Sequence, residues 1–344
     1  MLAFLKTANY NVFLTSGHSS VVERLVANEK VEGSTPFARS NYKVIKSKFI
    51  TSKFQSLLDN KDIRIYKNKF IYYLTFRIIR NFLNKDLIIN IYNFKIFGSI
   101  KKNKNSYFLL KKCYFGDFNE LDLIQKISNF SKILLVDCGC NYGFYSFFVA
   151  NLSKKNKVVA IEASKETSKD FLRNLRLNDN KNIYFKNKAI SNLDNIYISF
   201  NESENDWESS QSHSSFKLKK VENIKTTTID NLLNPYDLNN FQLIIKLDIE
   251  GNEMNAIQGS LRVIKSFSPI IIIEFSKYIF DHKRNIKYLN NFLKEFDYSI
   301  YDLNKKKTTM DNIITRLNHL EKRYKTIGNY YLIKNTSENL KFFK

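Results

Sequence analysis

Apolar residues in this 344-residue chain fall, from Lys132 onward, into short unbroken runs separated by segments of helical spacing. Ile133–Asp137, Lys157–Glu162, Ile183–Ala189, Leu243–Ile249, Ile270–Phe275, Tyr298–Leu303 and Asn329–Lys334 read as strands. A buried run without polar alternation is what a parallel strand covered on both faces shows. Such strands alternating with helical patterns predict an α/β, Rossmann-like fold, with a seven-stranded, mostly parallel sheet and helices on both faces. Ile196–Phe200 reads as an extra strand beside the third. Asn252–Lys265 reads as a helix, from the spacing of Ala256, Ile257 and Leu261. Residues 126–335 are long enough for one domain with a substantial core.

The most informative run is ILLVDCGCNYGFYS, Ile133–Ser146. A strand ends in Asp137, Gly139 and Gly143 bracket a short polar loop, and a helical segment follows. Such a loop sits beyond the carboxyl ends of the strands, where α/β sheets bind ligands. The spacing is not the G-x-G-x-x-G of dinucleotide sites, and Asp137 would repel a pyrophosphate. An acid there suits a cofactor that carries positive charge and no phosphate, as S-adenosylmethionine does. The second strand ends in Glu162, placed to accept hydrogen bonds from a ribose diol.

A third feature is Leu243–Glu250, which breaks at Gly251. Lys246, Asp248 and Glu250 are two apart, so an extended segment puts them on one face. Three ionisable groups at the mouth of an apolar strand cost desolvation unless paired or functional. One alternative is a self-satisfied Lys–carboxylate cluster, the other a substrate-side cluster beside the glycine loop.

Taken together, residues from about Tyr107 to Lys334 resemble the FkbM family of S-adenosylmethionine-dependent methyltransferases. The matching pieces are Val136–Ser146, Ile161–Ala163, Asn187–Ser191, Thr227–Asn231, Ile245–Glu253 and Pro269–Glu274. The Lys246-x-Asp248-x-Glu250-Gly251-x-Glu253 pattern is the most distinctive. Cys138 and Cys140 stand where Val or Ala is more usual, and Ala163 where Pro often follows the acid. The resemblance implies a class I methyltransferase sheet whose last strand is antiparallel, and O-methylation of a hydroxyl on a sugar, a glycan or a related metabolite. It further implies that Asp137 faces the methionine end of the cofactor, with Asn141 bonding in the loop and the backbone at Ala189 meeting the adenine edge.

Methyl transfer from a sulfonium needs chiefly alignment, and a weakly acidic sugar hydroxyl gains from a positioned base. Asp248 is the first candidate, with Glu250 and Glu274 next, and Lys246 would orient one of these carboxylates. Asp248 and Glu250 could also supply two hard oxygen ligands to Mg²⁺. Lacking a third ligand, the expectation is an enzyme without a metal.

Net charge is +22, an imbalance that normally suggests nucleic acid or an anionic surface. Here the excess is Lys, accompanied by abundant Asn, Ile, Tyr and Phe and by only 9 Gly and 3 Pro, as A/T-rich coding produces. Neither an aromatic RNP run nor zinc-knuckle spacing occurs, so no nucleic-acid partner is expected. Cys113, Cys138 and Cys140 read as reduced thiols of a cytoplasmic protein.

Residues 1–40 differ from the rest, with no Ile and two Lys. Gly17–Leu25 and Glu32–Ser40 resemble a translated transfer-RNA gene, which points to a start near residue 41, although Met254 is the next Met after Met1. A signal peptide is the competing idea, but Leu2–Leu5 is too short for its apolar core. Residues 41–125 form an N-terminal α/β extension on the substrate side: a helix over Phe70–Leu83 and a hairpin over Leu87–Ile100. That helix is too interrupted by charge to span a bilayer, which needs about 20 apolar residues, but its bases beside aromatics suit peripheral contact with a membrane surface. Residues 201–220 read as a long polar loop in which Trp207 could stack on a sugar and His213 could take a proton. Residues 336–344 are a tail. Two other functions stay open: a nucleic-acid methyltransferase, and a non-catalytic partner protein with a vestigial fold. Oligomeric state has no signature.

Overall fold

The computed structural model describes residues 11–13, 86–91, 94–99, 118–203, 218–280, 283–319 and 326–343. They fall into two compact bodies, Met1–Gly116 with Asp170–Asp179, and Asp117–Lys169 with Asn180–Lys344. The expected helix over 70–83, Cys113, Trp207 and His213 lie outside the described residues.

In the smaller body β1 (Asn11–Phe13), β2 (Asp86–Ile91) and β3 (Phe94–Ser99) form an antiparallel sheet in that order. β2 and β3 are the expected hairpin, closing at Ile91 opposite Phe94. Asn174 Oδ1 accepts from the Phe97 N–H at 2.7 Å, and the Asn178 amide bonds both the N–H and the C=O of Lys95 at 2.6 Å. Arg173 lies 4.1 Å above the Phe97 ring.

The larger body begins with α1 (Phe118–Ser128), followed by β4 (Ile133–Cys138), α2 (Phe144–Leu152), β5 (Lys157–Ile161), the start of α3 (Lys165–Asn178, which belongs to the smaller body from Asp170 on) and β6 (Ile183–Lys186). After the short strands β7 (Ala189–Ile190), β8 (Tyr197–Ser203) and β9 (Leu218–Thr227) come α4 (Ile229–Leu233) and β10 (Gln242–Leu247). The chain then runs through α5 (Glu253–Gln258), α6 (Leu261–Phe267), β11 (Ile270–Ser276), α7 (Lys277–Phe280) and α8 (Lys283–Glu295). It closes with β12 (Tyr298–Tyr301), β13 (Lys307–Thr308), α9 (Met310–Asn318) and β14 (Thr326–Lys334).

Its sheet has the order β13-β12-β14-β11-β10-β4-β5-β6. β6, β5, β4, β10 and β11 are mutually parallel, and β14 runs antiparallel to both β11 and β12. The sheet has eight strands rather than the seven expected, because β13 adds an edge pair, Ile300 with Thr308 and Tyr301 with Lys307. Two residues are too few for an alternation to register in sequence. Every residue of β4 is buried, as the unbroken run Ile133–Cys138 requires of a strand covered on both faces. Leu134, Val136, Ile245, Ile271, Ile273 and Leu332 share one core, each stabilising the fold by roughly 1.5–3 kcal/mol.

Three local expectations are corrected. The third strand ends at Lys186, because Asn187 turns the chain there: its amide donates to Glu162 O (2.8 Å), Ala163 O (3.1 Å) and Ser168 Oγ (2.9 Å). Residues 189–190 join β9 instead, and β8 is also β9's partner, so the extra strand does not lie beside the third. The helix over 252–265 is two helices, α5 and α6. They part at Gly259, where a Cβ would come within 2.3 Å of Ser191 O. Among the described residues no helix is long and apolar enough to cross a membrane.

Candidate active site

Strand order reverses direction between β4 and β10: from β4 the sheet grows one way through β5 and β6, and from β10 the other way through β11. Such a switch opens a crevice beyond the strands' carboxyl ends, and the predicted residues gather there.

The glycine loop is built on backbone contacts. Gly139 (φ +74°), Asn141 (φ +51°) and Gly143 (φ +89°) all take left-handed conformations, which cost other L-residues about 1–2 kcal/mol. Gly139 and Cys140 N–H both donate to Ile161 O, at 2.9 and 3.0 Å. A Cβ on Gly139 would stand 1.9 Å from Asp248 O, and Asp248 N–H donates to Cys138 O at 3.2 Å. The loop after β4 and the turn after β10 therefore touch backbone to backbone.

Asp137 is 1% exposed and accepts from Ser146 Oγ, on the first turn of α2, at 2.6 Å. Its partner across the parallel pair is Lys246. Glu162, just after β5, accepts from Asn141 N–H through Oε2 (3.0 Å) and from Ser164 N–H through Oε1 (2.9 Å). Loss of water around this carboxyl pushes it up to about 7; the backbone bonds from Ser164 and Asn141 oppose the shift and Asp248 adds to it. With a third backbone bond from Ala163, the carboxylate keeps one acceptor site for a ligand. Asn141 Oδ1 is buried without a hydrogen-bond partner. Ala189 is buried where β7 begins, opposite Thr226. The Cys138 and Cys140 thiols are free and buried, and burial holds them far above the ordinary thiol range. That keeps them protonated and poorly nucleophilic.

On the other side of the crevice Lys246, 2% exposed, pairs with Asp248 Oδ2 at 2.7 Å and lies 4.8 Å over the Tyr145 ring. The shared strand face expected for Lys246, Asp248 and Glu250 does not exist. β10 ends at Leu247, and Glu250 sits in a turn at φ +53°. Glu274, on β11, comes to the same place. Asp248, Glu250 and Glu274, all half-buried, bring one carboxylate oxygen each within 4.8 Å of one another. Three oxygens in that disposition can share a proton, orient hydroxyl groups or hold a hard cation. Beside Glu274, across the β11–β14 pair, lies Asn329, whose amide donates to buried Glu120 at 2.7 Å.

Sequence reasoning assigned no role to Tyr145, Ser146, Ser164, Asn187 or Glu253. Asn187 and Glu253 lie inside quoted motifs, but their work is on backbone groups and leaves no spacing signature. Glu253 is 1% exposed, and burial, with Asp248 nearby, pushes its carboxyl up to about 7.

An open sheet of this order, with a glycine loop after β4, an acid at the end of β4 and acids just after β5 and β10, is a class I S-adenosylmethionine-dependent methyltransferase fold. Residues 137–300 match the methyltransferase FkbM domain. Over those residues the chain carries an FkbM methyltransferase domain, and S-adenosylmethionine is that domain's cofactor. The crevice fits such a ligand: Asn141 Oδ1 is an unused buried acceptor, and the acids would oppose a phosphate but not a sulfonium or an ammonium.

Among solved structures, the methyltransferase FkbM of Methylobacillus flagellatus is 21% identical, with a TM-score of 0.37 over 58% of this chain. The match spans only 43% of that protein. An rRNA methylase from Streptococcus thermophilus is 12% identical (TM-score 0.34, 62% of this chain and 93% of that one). TYW2 of Pyrococcus horikoshii, in complex with MeSAdo, is 14% identical (TM-score 0.37, 73% and 72%). These likenesses are weak, and the assignment rests on the domain match. No curated protein matches the chain.

Proposed function

We propose that the protein transfers a methyl group from S-adenosylmethionine to a hydroxyl of a sugar, glycan or related metabolite. Bound cofactor supplies an activated methyl group. In this reading Asp137 attracts the positively charged methionine end, Glu162 accepts from a ribose hydroxyl, Asn141 offers its unused carbonyl oxygen, and the backbone at Ala189 meets the adenine edge. Asp248 accepts the acceptor's hydroxyl proton as the oxygen attacks, and Lys246 orients it through the 2.7 Å ion pair. Glu250 and Glu274 hold neighbouring hydroxyls of a polyol.

The observation that carries this reading is the carboxylate group formed by Asp248 and Glu250, on the segment packed against the glycine loop, with Glu274 of β11. A sugar presents adjacent hydroxyl donors, and acids meet them as acceptors. An RNA acceptor would bring phosphates toward the same acids and be repelled.

Methyl-labelled cofactor incubated with a panel of glycans, small polyols and RNA tests the proposal. Label in a glycan or polyol, falling about 10²–10⁴-fold in Asp248→Asn, is the expected result. Label confined to RNA contradicts it.

The same three carboxylates favour a second reading, in which a divalent cation held by Asp248, Glu250 and Glu274 orients a diol. The first reading predicts that chelation with EDTA leaves turnover unchanged. Loss on chelation, restored by Mg²⁺, moves the conclusion to the second.

A further inference from the structure

Glu253 is the first residue of α5 and faces inward, 1% exposed. Its Oε1 accepts the N–H groups of both Ile249 and Gly251, each at 3.2 Å, and Oε2, equally enclosed, has no hydrogen-bond partner. Between the two donors lies Glu250, in its left-handed conformation. Just before them lies Asp248, whose carbonyl fills the space a Cβ on Gly139 would need. One buried acceptor thus ties down both ends of the turn that carries Glu250 and directly follows Asp248. Backbone N–H groups bonded to a carboxylate make stronger bonds than neutral pairs, and removing the acceptor takes the shared partner from two half-buried donors.

Building on the function proposed above, we infer that Glu253 is a positioning residue for methyl transfer. Its carboxylate sets the Ile249–Gly251 turn so that Asp248 seats against the cofactor loop while Glu250 meets Glu274. It touches neither cofactor nor acceptor and acts through the turn. What the site requires is an oxygen acceptor at Oε1, not a charge. Glutamine keeps that oxygen and carries no charge, so repulsion from Asp248 is relieved. Alanine removes the acceptor.

The test uses the full chain with two variants, Glu253→Ala and Glu253→Gln, and S-adenosylmethionine as the calorimetric probe. Affinity falls more than about tenfold in Glu253→Ala and stays within about threefold in Glu253→Gln. Amide exchange measured without cofactor quickens at Ile249 and Gly251 in the alanine variant only, while amides of β4 and β10 keep their protection. Equal affinity in wild type and Glu253→Ala overturns the inference. So does equal damage in both variants, which would mark Glu253 as needed for its charge or its packing. If the wild-type chain does not bind the cofactor, the proposed function fails instead. The exchange arm then still decides whether Glu253 holds the turn.

Discussion

At the scale of single residues, Gly139 and Glu162 carry the clearest expectations. Alanine at Gly139 would adopt φ +74° and meet a backbone oxygen at 1.9 Å, and backbone cannot rotate aside as a side-chain end can. Gly139→Ala therefore costs more stability than the ~1–2 kcal/mol of a left-handed penalty alone, seen as a lowered melting temperature, and abolishes cofactor binding. An unchanged melting curve with normal binding would contradict the packing described. Glu162 has a folded value of about 7 against an ordinary 4.5. The apo protein therefore gains stability from this group below pH ~4.5 and loses it as pH rises through about 7. Ribose hydroxyls need the ionised form, so affinity for S-adenosylmethionine rises about tenfold between pH 6 and 8. Titrations at the two pH values, with Glu162→Gln as the flat control, check the sign. The placement of Gly139 and Glu162 at the strand ends could be read in sequence because a strand, a glycine turn and an acid follow one another within a short span. Glu274 joining Asp248 could not, since that meeting depends on β10 and β11 lying side by side. Glu253 stands in the most distinctive pattern, but its role left no trace because its partners are backbone N–H groups, which every residue but proline carries.

At the scale of elements, the apolar runs located seven strands of the main sheet to within a few residues, because burial on both faces removes polar positions from them. Failures came where one side chain or one close contact overrides periodicity. Asn187 cuts the third strand short with bonds to the Glu162–Ser168 segment. Gly259 splits the helix after β10, although Ala256, Ile257 and Leu261 keep an unbroken helical spacing. β9 hid because its threonines and lysines lie in a three-stranded side sheet and do not form an apolar run. The break at Gly259 gives opposite predictions from sequence and from structure. As an interior helical position, Gly259→Ala should stabilise by about 1 kcal/mol. With a Cβ 2.3 Å from Ser191 O, it should instead destabilise, by about 1–3 kcal/mol as overpacking does. Urea unfolding of the variant decides, and a raised midpoint would contradict the close approach of α5 to the 189–191 segment.

At the scale of the molecule, the sheet supplies the site's one essential property, two loops meeting at a switch point. The cofactor-side acids Asp137 and Glu162 come from β4 and β5, and the acceptor-side acids from β10 and β11. Lys246 stands between the two groups, opposite Asp137 in register and paired with Asp248. In the function proposed, that arrangement would place a cationic donor and a hydroxyl acceptor on facing sides of one crevice, as a methyl transfer aligned by its surroundings requires. The most direct test is calorimetric titration of S-adenosylmethionine into the full chain, with Asp137→Ala alongside. The account predicts micromolar binding in the wild type and its loss in the variant. A folded wild-type chain that takes up no cofactor, or a variant that binds as tightly, would contradict it.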